Sequence, residues 1–242
     1  MAFSFHWSLV TGHWSLNVSL RLVLLGPPGA GKGTLAAVLN KELGLGSVST
    51  GELFRNEIRR RTTLGRQVTR YVSSGRLVPD ELVVKVMARR LSRRRVGRGV
   101  VLDGFPRTVG QARGLDAFLK ARATPLHAAL YLDCPIALLI SRLSGRRVCQ
   151  RCGRNYHTRT MRPKRAGLCD ACGGPLIMRK DDQAKTVAKR LEIDRAKAKP
   201  LLEFYRQRHV LYRLDGRGGI VQVFQRLRRL LNHEGWLKNS GR

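Results

Sequence analysis

Gly26-Pro-Pro-Gly-Ala-Gly-Lys-Gly-Thr34 decides how the rest of this chain is read. The stretch follows an apolar run, Leu22-Val-Leu-Leu25, with the character of a short buried strand, and it opens a helical pattern at Leu35-Ala-Ala-Val-Leu39. Strand, glycine-rich loop and helix in succession form the context of a phosphate-binding loop. Glycines let backbone N–H groups turn inward around an anion, and the helix N-terminus adds a partial positive charge. Lys32 supplies a mobile cation for the β- and γ-phosphates. The G-x-x-x-x-G-K pattern is met at Gly26, Gly31 and Lys32. Gly33 stands where a Ser or Thr usually holds Mg²⁺, and Thr34 comes one residue late, so a distant carboxylate is expected to steer the hydrated metal.

The chain has 242 residues, enough for one globular domain with insertions or for two small ones. No apolar run approaches the length of about 18 residues that a membrane span needs. Forty-seven Lys and Arg against 16 Asp and Glu give a net charge of +31. Such a charge favours loose contact with polyanions, but the basic residues are spread along the chain, which is not the pattern of a dedicated nucleic-acid tail. Residues 1–20 differ from the rest. They carry no charged side chain and contain a short echo, His6-Trp-Ser-Leu and His13-Trp-Ser-Leu. They lack the basic start of a secretory signal and the arginines of a transit peptide, and are expected to be a weakly packed extension.

Beyond the loop, strands are expected at residues 45–50, 99–103, 126–133 and 219–224. With residues 22–25 this makes five. Helices are expected at 57–75, 81–91, 109–121, 135–143, 183–197 and 201–209, with Thr50 as a cap, Pro79 and Pro200 at helix starts, and a closing helix to 232. Mostly apolar strands alternating with helices describe an α/β protein with a parallel sheet covered on both faces.

Asp103-Gly-Phe-Pro-Arg-Thr108 follows directly on a strand, at the sheet edge where open α/β sheets bind ligands. Asp103 can accept hydrogen bonds from waters on Mg²⁺. Arg107 offers a planar fork to a phosphate, and Arg55 and Arg76 offer others. Cys149-x-x-Cys152 and Cys169-x-x-Cys172 are separated by sixteen residues, within the spacing of a four-cysteine zinc site. Two disulfides are the alternative. Four thiolates leave zinc no open position, so such a metal is structural. Cys134 reads as a small buried apolar residue.

The phosphate loop, Ser49-Thr-Gly-Glu-Leu-Phe-Arg55, Leu77-Val-Pro-Asp80, Asp103-Gly-Phe-Pro-Arg-Thr108, Gln111, Arg142-x-x-Gly-Arg-Arg147 and Arg179-Lys-Asp-Asp182 with Arg190 occur in the order of the adenylate kinases. The chain resembles that family over residues 21–232, and its cysteine block resembles the lid of the long, zinc-containing forms. The resemblance implies a P-loop NTPase-type five-stranded parallel sheet flanked by helices. It divides the chain into an extension (1–20), a core (21–48, 79–144 and 183–242), an AMP-binding insertion (49–78) and a zinc-ribbon lid (145–182).

It implies transfer of a phosphoryl group from ATP to AMP, giving two ADP. In this scheme Gly29, Ala30, Gly31, Lys32, Gly33 and Thr34 hold the donor phosphates. Asn155 and Tyr156 flank the donor base or ribose, and Gly218 meets the adenine through its backbone. Thr50, Arg55, Arg76, Leu77, Val78, Gly104, Phe105, Pro106, Arg107 and Gln111 hold AMP, with Gln111 reading the adenine edge. Arg142 and Arg146 reach the transferring group, and Arg179 and Arg190 close on both nucleotides' phosphates. Mg²⁺ accompanies ATP, steered by Asp103. Structural Zn²⁺ sits on Cys149, Cys152, Cys169 and Cys172. A cytoplasmic monomer is implied, with organelle targeting by the extension as the alternative. Two other functions stay open: an AMP kinase preferring GTP or another NTP as donor, and a basic nucleic-acid-binding protein on a kinase fold.

Overall fold

The computed structural model describes residues 14–73, 78–92, 98–178, 182 and 184–239. Residues 1–13, Arg76, Leu77 and Arg179 lie outside the described residues, as does the side chain of Arg190. In chain order the elements are β1 (Trp14–Leu16), β2 (Leu20–Leu25), α1 (Lys32–Leu43), β3 (Gly46–Ser49), α2 (Thr50–Arg59), α3 (Thr63–Ser73), α4 (Asp80–Ser92), β4 (Gly99–Asp103), α5 (Val109–Lys120), β5 (Ala128–Asp133), α6 (Ile136–Ser144), β6 (Arg146–Cys149), β7 (Asn155–His157), β8 (Leu176–Ile177), α7 (Ala184–Arg206), β9 (Leu211–Asp215), α8 (Ile220–His233) and β10 (Leu237–Asn239).

Five parallel strands make the main sheet in the order β3-β4-β2-β5-β9. Alternation along each strand sorts its side chains between two cores. Leu22, Leu24, Val101, Leu130 and Leu132 pack on one face with α1 and α8, whereas Val23, Leu25, Val100, Leu102 and Ala129 pack on the other with α4 and α5. The register sets Asp103 beside Leu24 on one side and Ser49 on the other, so the ends of three strands converge where the phosphate loop begins. Residues 146–177 carry a separate antiparallel sheet, β7-β6-β8. Among the described residues no helix is long and apolar enough to cross a membrane.

Several expected elements are corrected. Residues 219–224 are not a strand: they open α8, and the last strand of the main sheet is β9. Val223, Phe224, Leu227 and Leu231 form one buried helical stripe, and six residues were too short a window to reveal it. Pro200 does not begin a helix but lies inside α7. Proline removes one intrahelical hydrogen bond. The helix nevertheless runs on because its two halves are held separately, Val187 and Leu191 in one core and Leu201, Phe204 and Tyr205 in the other.

The helix expected over 57–75 is two. Arg61 has φ 51°, and Gly65 lets α3 approach α2 so closely that a Cβ there would lie 2.2 Å from the Glu57 carbonyl oxygen. Ser49, not Thr50, caps α2. The extension is also not wholly loose: β1 pairs antiparallel with β10, and Arg228 lies over the Trp14 ring at 4.6 Å.

Candidate active site

The phosphate loop turns between β2 and α1 as its sequence requires. Gly31 caps α1 with φ 97°, a conformation that L side chains rarely adopt. At Gly26 a Cβ would stand 2.7 Å from the Leu132 carbonyl oxygen, so the loop lies directly on β5. Lys32 Nζ curls over the loop and donates to the Gly26 carbonyl at 2.5 Å and the Pro27 carbonyl at 3.0 Å. A Cβ on Gly33 would meet Asp103 Oδ2 at 3.3 Å. The carboxylate is therefore seated at the first turn of α1, where a hydroxyl-bearing residue would crowd it.

Arg142, on α6, is placed differently from the expectation that it reaches a transferring group. Its guanidinium donates to the carbonyls of Ala30 (3.3 Å), Gly216 (2.9 Å) and Gly218 (2.8 Å). It brackets the phosphate loop to the β9–α8 turn. Cys134 lies beneath this bracket. Burial pushes its thiol pKa up, although the neighbouring Arg142 acts in the opposite direction. In the same turn, the hydrogen bond from the Arg217 side chain holds the Asp215 carboxyl down at about 2.

Across the sheet edge stands a second polar group. Thr50 Oγ1 donates to the Gly104 carbonyl at 2.8 Å, and Arg107 Nε donates to the same oxygen at 2.8 Å. Phe105 and Val78 are buried beneath, and the Phe105–Pro106 peptide is cis. Gln111, 2% exposed, accepts from the Arg107 N–H at 2.8 Å and donates through Nε2 to Asp80 Oδ1 at 2.9 Å. Arg55 is exposed on α2, and a Cβ on Gly51 would approach its Nη1 to 3.0 Å.

The third part is the cysteine block. The Sγ atoms of Cys149, Cys152, Cys169 and Cys172 all lie within 4.8 Å of one another. The Cys149–Cys172 and Cys152–Cys169 sulfur pairs are 3.4 and 3.5 Å apart, and all four cysteines are free. A disulfide would need about 2.05 Å. A tetrahedral Zn–S₄ centre has sulfur–sulfur edges of about 3.8 Å, so this donor set fits zinc.

Tyr156, expected beside the donor nucleotide, lies inside this module. Its hydroxyl accepts from the Asp170 N–H at 2.8 Å and touches Cys169 Sγ at 3.4 Å, while Asn155 is exposed. His157 is not a fifth ligand: its Nδ1 accepts from the N–H groups of Arg159 and Thr160. Arg146, at the start of β6, makes a two-pronged pair with the Asp182 carboxylate, Nε to Oδ2 at 2.6 Å. The lid also touches the insertion opposite, where Arg59 Nη1 donates to the Arg151 carbonyl at 2.7 Å across 92 residues.

The family model for adenylate kinase matches residues 24–210. The chain belongs to the adenylate kinase family. An adenylate kinase of Moorella thermoacetica is 46% identical over 215 residues, covering 89% of this chain and 99% of its relative. One from Clostridium tetani is 43% identical over 212 residues, covering 88% and 98%. One from a Thermoanaerobacter species is 41% identical over 216 residues, covering 89% and 100%.

Three residues of this adenylate kinase family member escaped the sequence reading of individual sites. Asp182, 1% exposed, holds Arg146, and Asp80 holds Gln111. Arg59 joins insertion to lid. The two acids lie within motifs of the family, yet no local spacing ties either to its partner, and Arg59 stands in the exposed Arg59-Arg60-Arg61 run with no pattern that marks it.

Proposed function

We propose that the chain catalyses reversible transfer of the terminal phosphoryl group of ATP to AMP, giving two ADP. One observation carries this reading: Leu24, two residues before the phosphate loop, is the register partner of Asp103, which opens the Arg107-bearing turn. Two anion-binding loops thus leave adjacent strands side by side.

Gly29, Ala30, Gly31, Lys32, Gly33 and Thr34 hold the donor phosphates, with the α1 dipole and inward N–H groups receiving the negative charge. Asn155 and the Gly218 backbone meet the donor nucleoside. On the acceptor side Thr50, Arg55, Val78, Gly104, Phe105, Pro106, Arg107 and Gln111 hold AMP, with Gln111 facing the base. Arg76, Leu77, Arg179 and Arg190 complete the set by resemblance to the family. Arg142 acts by fixing the phosphate loop against the Gly216 and Gly218 carbonyls. Arg146 acts on the transferring group from a position set by Asp182.

Phosphoryl transfer passes through a loose transition state with charge spread over equatorial oxygens, so positioning and electrostatics suffice without a general base. Lys32 and the arginines answer that charge. Asp103, a hard oxygen donor at the first turn of α1, would hold the water shell of a Mg²⁺ bound with ATP, which would supply positive charge to the phosphates. Zn²⁺ on Cys149, Cys152, Cys169 and Cys172 is structural. Water competes with AMP as acceptor, and contact between Arg59 and the lid helps to exclude it. The high positive charge gives at most non-specific contact with nucleic acid, and the protein acts as a cytoplasmic monomer.

The test is ADP formation from ATP, AMP and Mg²⁺ by the purified protein. AMP-dependent ADP formation supports the assignment. Turnover that does not depend on AMP overturns it, and a higher kcat/KM with GTP than with ATP overturns the donor.

A further inference from the structure

Asp80 and Gln111 are 31 residues apart in sequence and meet at the junction of α4 and α5. Which end of a glutamine amide carries nitrogen is ordinarily ambiguous, because oxygen and nitrogen have almost the same shape. Here chemistry assigns both ends. A carboxylate only accepts, so the atom 2.9 Å from Asp80 Oδ1 is the amide nitrogen. A backbone N–H only donates, so the atom 2.8 Å from the Arg107 nitrogen is the amide oxygen. Reversing the amide would set oxygen against carboxylate and NH₂ against N–H. At 2% exposure no water is at hand to relieve either clash.

The surroundings hold Asp80 equally firmly. Thr108 Oγ1 donates to Asp80 Oδ2 at 2.5 Å and accepts the Gln111 N–H at 3.1 Å, as the N-cap of α5. Because the carboxylate must accept, the hydroxyl proton also has one direction. Gly110 lies so near that a Cβ would stand 2.5 Å from Asp80 Oδ2. Any larger residue there would push the carboxylate aside.

One N–H and one oxygen lone pair of the Gln111 amide remain for a ligand. We propose that Asp80 is a positioning residue that sets the polarity of base recognition, holding Gln111 in the one orientation that accepts a 6-amino purine and rejects a 6-oxo purine. Adenine presents an acceptor at N1 and a donor at the 6-amino group, which pair with the remaining N–H and oxygen. Hypoxanthine presents a donor at N1 and an acceptor at O6, the reverse pattern, and pairs only with a reversed amide. The inference rests on the reading of Gln111 as the base-facing residue.

The experiment compares kcat/KM for AMP and IMP, with ATP as donor, in the wild type, Asp80→Asn and Gln111→Met. Asparagine fills the same space but can donate or accept, which frees the Gln111 amide to reverse. The preference for AMP over IMP is expected to fall about tenfold in Asp80→Asn, in the KM of the monophosphate, with the KM for ATP unchanged. An unchanged ratio in Asp80→Asn, together with a collapsed ratio in Gln111→Met, overturns the role of Asp80 alone. An unchanged ratio in Gln111→Met overturns the reading of Gln111 on which it rests. Should Asp80→Asn not fold, a scalar coupling across the hydrogen bond from Gln111 Nε2 to the Asp80 carboxyl carbon in the isotope-labelled wild type decides. Its presence supports the proposal and its absence overturns it.

Discussion

The sheet core and the cysteine module are held together by different forces. The core buries Leu22, Leu35, Leu39, Leu130 and Leu227 completely, with many more side chains around them. At about 25 cal/mol per Å² of apolar surface, burial on that scale is what holds a sheet between helices. The lid has no such reserve. Its buried cluster is Cys149, Tyr156 and Cys169, with Cys172 and Leu176 packed against it. Its exposed side includes Arg151, Arg154, Arg159, Arg162, Lys164 and Arg165, whose mutual repulsion opposes compaction. A module with so little apolar burial depends on what its four cysteines hold, so the two regions are expected to respond to different conditions.

Removing the metal is the largest perturbation of this contrast. Structural zinc contributes on the order of 10 kcal/mol to small cysteine modules. Chelation or Cys149→Ser is expected to open residues 146–177 to protease and abolish turnover while the core still melts cooperatively. A lid that keeps its protease resistance after verified metal loss would break the comparison. The converse change is Leu130→Ala in the middle of β5. It is expected to cost about 3 kcal/mol and to lower the melting temperature by roughly 10 °C. Zinc content should be unchanged, and a loss of metal in this variant would show that the two regions do not fold separately.

Arg59→Ala removes the hydrogen bond from α2 to the Arg151 carbonyl of the cysteine module. An exposed hydrogen bond of this type is worth about 1 kcal/mol, so KM for AMP should rise about fivefold. The acceptor is the carbonyl of Arg151, between Cys149 and Cys152, and metal removal should cancel the difference between variant and wild type in AMP affinity read by direct binding. A difference that persists in nucleotide binding to the metal-free protein would detach Arg59 from the lid.

The smallest effect belongs to the core. His127 Nδ1 accepts from the Arg21 N–H at 3.2 Å, and its ring meets Trp236 edge-on at 5.5 Å. Burial, and then the Arg21 charge, lower its pKa below the ordinary 6.5. The folded state thus prefers the neutral ring. The contribution is complete above pH 6.5 and is lost as pH falls through the lower folded value. Thermal melts of His127→Gln should lack that slope on the acid side, and an unchanged slope would place its origin elsewhere.

Much of this molecule was legible in one dimension. The phosphate loop, the Asp103 turn and the paired cysteines each lie within a few consecutive residues, and each demands particular backbone or ligand chemistry. A lone residue type could not mimic them. The strands at 99–103 and 128–133 were legible for the same reason, as apolar runs bounded by turns. The short run at 219–224 misled because six apolar-rich residues satisfy a strand and a helix alike, until Leu227 and Leu231 extend the stripe. Pro200 misled because a local rule about helix breaking yielded to packing at both ends of α7.

By itself, then, the sequence determined the glycine-rich loop between β2 and α1, the order of the family's motifs, the pairing of the four cysteines and the parallel α/β plan. These depend on near neighbours along the chain. Only the tertiary structure decided that Asp80 orients Gln111, that Asp182 holds Arg146, that Arg142 brackets two loops, and that β1 is completed by β10. Each of these joins residues distant in sequence through a hydrogen bond or strand pair. Such a pairing leaves no local periodicity, because its energy exists only once the chain has closed on itself.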